Sequence, residues 1–131
     1  MITEIKSKGT LVGLLVDNAD IEDGTHPITP LEWPLQLLMM RRKKGHVFAK
    51  HTHKAMERKT NTLQEAVVVN QGKLLITVCE RGGEDIGDYE VAAGQCLFLV
   101  NGGYKIEVIE DAAFYEFKNG PHLAAGDKVF L

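Results

Sequence analysis

Apolar residues recur along the chain in short runs, over residues 11–16, 35–40, 47–53, 65–69, 73–79, 96–100, 104–109 and 112–117. Glycines and small polar clusters separate them, among them Gly45, Gly72, Gly82-Gly83, Gly94 and Gly102-Gly103. The runs are rich in strand-favouring residues, whereas the 3.6-residue period of an amphipathic helix is hard to find. Strands this short and numerous predict an all-β antiparallel sandwich or barrel. Residues 17–34 differ, being acidic and carrying Pro27, Pro30 and Pro34. They predict a long surface connection within one domain over 1–131.

Composition narrows the function classes. With 131 residues, 44% hydrophobic and 25% charged, the chain can build one core and is neither disordered nor a coiled coil. The net charge of −3 and a single basic cluster, Arg41-Arg42-Lys43-Lys44, leave no stripe for a phosphate backbone, so no nucleic-acid partner is expected and the cluster reads as the end of a solvated strand. No apolar run reaches the ~20 residues of a membrane span, and the N-terminal residues lack the order of a secretory signal. A cytoplasmic protein with no membrane partner is expected. Cys79 and Cys96 lie inside apolar runs, where a buried, reduced thiol is the usual state. The acidic loop offers no register for a calcium-binding hand, and Gly82-Gly83 precedes Glu84 and Asp85, which would repel phosphate.

One constellation carries chemistry. His51 and His53 stand two residues apart, so on a strand their imidazoles project from one face. Glu65 opens the next apolar run, where a carboxylate needs a charged partner or a metal to offset desolvation. Two neutral imidazoles and a carboxylate can hold Fe, Mn, Ni or Zn with positions left open for water or substrate. The plainer alternative leaves all three as ordinary strand and hairpin residues.

Gly45, five residues, His51-Thr52-His53, then Glu65, six residues and Gly72 resembles the first motif of the cupin superfamily. The departure is the gap from His53 to Glu65, eleven residues where the family has three or four. A longer hairpin loop accommodates this, because closure entropy grows slowly with length. Residues 94–108 resemble the second motif, but its histidine is missing. Counting from Gly94 and Gly102 places that position at Lys105. The alternation Tyr104, Ile106, Val108 instead places Tyr104 inside, and Tyr104 is preferred because a one-residue slip would turn the apolar set outward.

The resemblance implies a cupin-type double-stranded β-helix, a jelly-roll barrel of two antiparallel sheets. Its core would span about 33–118, preceded by an N-terminal strand and loop over 1–32 and followed by a tail over 119–131. It also implies metal ligation by His51, His53 and Glu65, with Tyr104 beside them as a hydrogen-bond donor rather than a phenolate ligand. The bound partner would be a small molecule, sugar-like or an organic acid. A metal-free alternative uses His51 and His53 as acid and base in a sugar-nucleotide isomerase or epimerase, since His51-Thr52-His53-Lys54 is similar to the motif of such cupins. A third reading is a non-catalytic ligand-binding barrel.

The remaining candidates have plainer readings. His46 and His26 are solvated. His122 can reach the site only if the tail crosses the barrel mouth, and Arg58 is a solvated loop residue unless it clamps an anion. Trp33 and Phe48 fill core or interface, and Met39-Met40 is packing. Edge strands and the apolar residues 11–16 point to a homodimer.

Overall fold

The computed structural model describes residues 1–121 and 128–131. Among the described residues every regular element is a strand: β1 (Ile2–Ser7), β2 (Thr10–Asp17), β3 (Gly24–Pro27), β4 (Leu38–Arg41), β5 (Glu65–Cys79), β6 (Asp85–Ala92), β7 (Gln95–Leu99) and β8 (Gly103–Lys118). Six of them form one antiparallel sheet in the order β1-β2-β7-β5-β6, with β8 on the other edge of β5, and β3-β4 form a separate ribbon. No helix among these residues is long and apolar enough to cross a membrane.

The architecture is organised by β5 and β8, each longer than the sequence pattern predicts. The runs at 65–69 and 73–79 join into one strand, as do those at 104–109 and 112–117. The separators, around Gly72 and Asp111, are register shifts in the β5-β8 ladder rather than loops. Gly72 has φ of 76°, and a Cβ built on it would lie 2.0 Å from the Asp111 carbonyl oxygen, so only glycine lets the two backbones approach this closely. The inward residues of β5 are Val67 and Val69 before this point and Leu74, Ile76 and Val78 after it. The parity of the strand therefore changes at the bend, and the long ribbon curls while keeping one apolar face inside.

Along its opposite edge β5 meets β7 over its first residues and β6 over its last. β6 and β7 follow each other across Ala93-Gly94, where the Gly94 N–H donates to the Val69 carbonyl at 2.9 Å. The result is a strongly curled half-barrel. Its concave face holds Val67, Val69, Leu74, Ile76, Val91 and Leu97, each at most 1% exposed. Burial of side chains of this size contributes roughly 1.5 to 3 kcal/mol apiece. The convex face is covered by Ile21, Ile28, Trp33, Leu35, Leu37 and Met39 against Leu14, Val16, Ala66 and Phe98, with Trp33 stacked on Phe98 at 6.0 Å.

Several expectations are corrected. Residues 47–53 are not a strand: the chain from 44 to 60 is irregular with exposed side chains, because it finds no partner ladder. Residues 17–34 are not wholly connection, since they contain β3, paired to β4. β1, β3 and β6 escape the hydrophobic pattern. β1 carries only Ile2 and Ile5 as apolar residues, β3 contains glycine and proline, and β6 is interrupted by Gly87 and Asp88. Tertiary pairing supplies what their sequences lack. Of the apolar residues of β2, Val12, Leu14 and Val16 are buried in the chain's own core, while Leu11 and Leu15 stay partly exposed. Phe48 is 54% exposed rather than core.

Cys79 and Cys96 are free and buried, as expected. Burial pushes the Cys96 thiol up to about 11. A thiol so raised favours the folded state in full below the ordinary thiol range, and that contribution is lost as pH climbs toward about 11. Native protein at pH 8 is expected to leave Cys96 unmodified by iodoacetamide, with labelling appearing in urea. Mass-spectrometric peptide mapping reads this directly, and prompt native labelling of Cys96 would contradict it.

Candidate functional site

Curling brings the two ends of the β5-β8 ribbon together. Glu65 opens β5 and pairs in register with Lys118 at the close of β8, while Tyr104, near the start of β8, pairs with Val78 toward the far end of β5. Tyr104 and Glu65 nevertheless line one cleft of about 320 Å³, with Leu99, Gly102, Gly103, Glu116 and Lys118. Val129 and Phe130 of the C-terminal segment lie along its rim together with Lys128. Gly102 makes the close turn possible: with φ of 157°, a Cβ there would stand 2.5 Å from the Cys79 carbonyl oxygen.

The electrostatics are compact. The Lys118 ammonium lies 3.7 Å from Glu65 Oε1 and 3.4 Å from Glu116 Oε1. The Glu65 and Lys118 side chains are only 14% and 17% exposed, so this pair is screened less than a surface ion pair. Burial holds the Tyr104 phenol well above its ordinary range, reinforced by the charge of Glu65 and hydrogen bonding to it, then by Glu116. Tyr104 is thus a neutral donor facing two carboxylates. Lys105, the other reading of the missing histidine, is exposed on the opposite face of β8.

A polar clasp holds the entry to this site. The Gln64 backbone N–H donates to Asn119 Oδ1 at 2.8 Å, and the Asn119 amide donates to the Thr62 carbonyl at 2.9 Å. Buried Gln64 in turn accepts from the Leu35 N–H at 3.3 Å. The start of β5 and the end of β8 are therefore tied side by side, which sets Glu65 against Lys118.

The structure brings Glu65 and Tyr104 to one cleft, and neither His51 nor His53 is among the residues that line it. His51 and His53 project from exposed, irregular chain with ring centroids 5.3 Å apart at 82°, and His51 Nδ1 pairs with the Ala49 carbonyl at 2.6 Å. No three His, Cys, Asp or Glu side chains are grouped to hold an ion among the described residues. His26 bonds the Glu22 carbonyl at 2.9 Å, Arg58 is exposed, and His122 lies outside the described residues. The residues missed by sequence reasoning are Glu116, Lys118, Gln64 and Asn119. Strand parity does place Glu116 and Lys118 opposite Tyr115 and Phe117, but a polar set opposite an apolar one reads as solvent-facing. Here Tyr115 and Phe117 are 61% and 55% exposed and the polar set lines the cleft. Comparison with protein-family models, curated proteins and solved structures gives no match to the chain.

Proposed function

We propose that this chain is a small cupin, a double-stranded β-helix whose barrel mouth binds a small polyhydroxylated, sugar-like ligand at Glu65, Tyr104, Glu116 and Lys118. The observation that carries this reading is a protonated phenol set between two carboxylates and a lysine at one cleft. With Lys128 on the rim, the ammonium charges balance the carboxylates, so the cleft favours a neutral ligand with many hydroxyls over an organic acid. Tyr104 and the lysines donate to such a ligand, and the carboxylates accept from its hydroxyls. Tyr104, held protonated, donates a hydrogen bond rather than a proton.

A thermal-shift panel of monosaccharides and sugar alcohols, followed by calorimetry on the best binder, tests this. Tyr104→Phe is expected to weaken that binder roughly tenfold, the loss of one hydrogen bond to a charged or desolvated partner, while leaving the fold intact. Undiminished affinity in Tyr104→Phe would remove the cleft from the reading.

The cupin resemblance also implies a divalent transition metal, Fe, Mn, Ni or Zn, on His51, His53 and Glu65. As arranged, these residues do not fit an ion: no three such side chains are grouped to hold one among the described residues, the histidines are exposed, and Glu65 is already paired with Lys118. Metal binding by this set requires the histidines to be carried to Glu65 and the lysine to withdraw. Elemental mass spectrometry on protein purified without chelator tests it beside a His51→Ala, His53→Ala double variant. About one equivalent of metal, lost in the variant, supports the set. Wild-type protein that is metal-free and takes up none of the four added ions overturns it.

A further inference from the structure

On the β3-β4 ribbon, among residues separate from those of the Glu65 cleft, a second cavity of about 440 Å³ is lined by Asp23, Gly24, Arg42, Lys43, Lys44 and His46. It is built around Arg42. One guanidinium nitrogen, Nη2, donates to Thr25 Oγ1 at 2.7 Å, and the group lies 5.5 Å from the centre of the Phe48 ring. That ring is met edge-on by the His46 imidazole at 4.7 Å. A planar cation anchored at one edge and stacked on an aromatic face is pre-organised, with little rotamer freedom left to lose on binding.

What Arg42 lacks is an anion. No carboxylate pairs with it among the described residues, Nη1 reaches only the Arg41 carbonyl at 3.4 Å, and Nε is buried without an acceptor. Asp23, the one carboxylate lining the cavity, is engaged by Lys43 at 3.7 Å. Three cationic side chains against one paired carboxylate leave an excess of positive charge around an open space. An arginine fork with lysines to either side suits a multivalent oxyanion better than a single planar carboxylate.

We propose that this cavity binds a phosphoryl group, with Arg42 as the directional donor and Lys44 as a supporting charge. The group can arrive as inorganic phosphate or on a phosphomonoester. Isothermal titration of the full chain at low salt with inorganic phosphate, and separately with glucose 1-phosphate, distinguishes the two sources. One-site binding that weakens with added salt is expected, tighter for the phosphomonoester if the organic portion also contacts the cavity. Arg42→Gln is expected to weaken it at least about tenfold and Lys44→Gln about threefold, while Lys6→Gln, on β1, changes nothing. Absence of saturable binding to both probes overturns the proposal, as does equal affinity in a folded Arg42→Gln. Should Arg42→Gln fail to fold by circular dichroism, Lys44→Gln decides: affinity equal to wild type overturns the assignment, and a loss supports it.

Discussion

Gly72→Ala is expected to destabilise the protein by about 4 kcal/mol or more, enough to leave a marginal domain largely unfolded. Two costs combine. The residue sits at φ of 76°, where an L side chain is strained by about 1 to 2 kcal/mol. In addition, the new methyl would stand 2.0 Å from the Asp111 carbonyl oxygen and 2.8 Å from the Ala112 Cα, and these are backbone atoms that no rotamer change can clear. Gly94→Ala separates the two terms, because Gly94 has φ of 89° but open space where the Cβ would go. It should show only the conformational cost. Urea denaturation of both variants reads the difference, and coincident midpoints would mean that the close approach of β5 to β8 does not govern the bend. Because the bend carries Glu65 back toward Tyr104, any folded Gly72→Ala protein is also expected to lose the cleft.

Lys118→Met is expected to cost about 3 kcal/mol, below the upper range for breaking a fully buried pair because the lysine keeps some contact with water. The substitution leaves Glu65 and Glu116 facing each other across a neutral phenol, with the compensating ammonium gone. Adding Glu65→Gln to Lys118→Met should recover a large part of the loss, since the uncompensated buried charge is then removed. A double-mutant cycle on these positions is therefore expected to show strong coupling. Additive costs would indicate that the 3.7 Å pair is energetically idle and that the clasp through Gln64 and Asn119 alone aligns the strands.

Much of the fold was legible because the apolar pattern of a buried strand is written locally in the sequence. The apolar runs at 11–16, 65–69, 73–79, 104–109 and 112–117 lie on strands, and that at 96–100 does so as far as Leu99. The same pattern failed where its physical premise failed. Residues 47–53 read as a strand that sets His51 and His53 on one face, yet such a segment holds as a strand only when a neighbouring ladder receives its N–H and C=O groups. Conversely β6, with glycine and acidic residues, is a strand because β5 lies beside it. The Asn70-Gln71-Gly72 and Glu110-Asp111 breaks read as turns, since the sequence carries no sign that they would face each other as matched irregularities in one ladder.

The candidate site divides along the same line. Sequence alone determined that Glu65 stands at the head of an apolar strand, that Tyr104 shares its face with Ile106, and that both cysteines lie in buried runs, because side-chain alternation and burial follow from local order along a strand. The resemblance implied Tyr104 beside Glu65, and the structure brings the two, from opposite ends of a long ribbon, to one cleft; only the tertiary structure decided that Lys118 and Glu116 join them there. It also decided that the Arg41-Lys44 cluster, which does end a strand, has one member folded back onto Thr25 and Phe48. The reason is geometric: alternation says which face a residue takes, whereas which faces meet depends on where the ribbon bends, and the register shifts that mark the bend lie where Gly72 meets Asp111, residues far apart in the sequence.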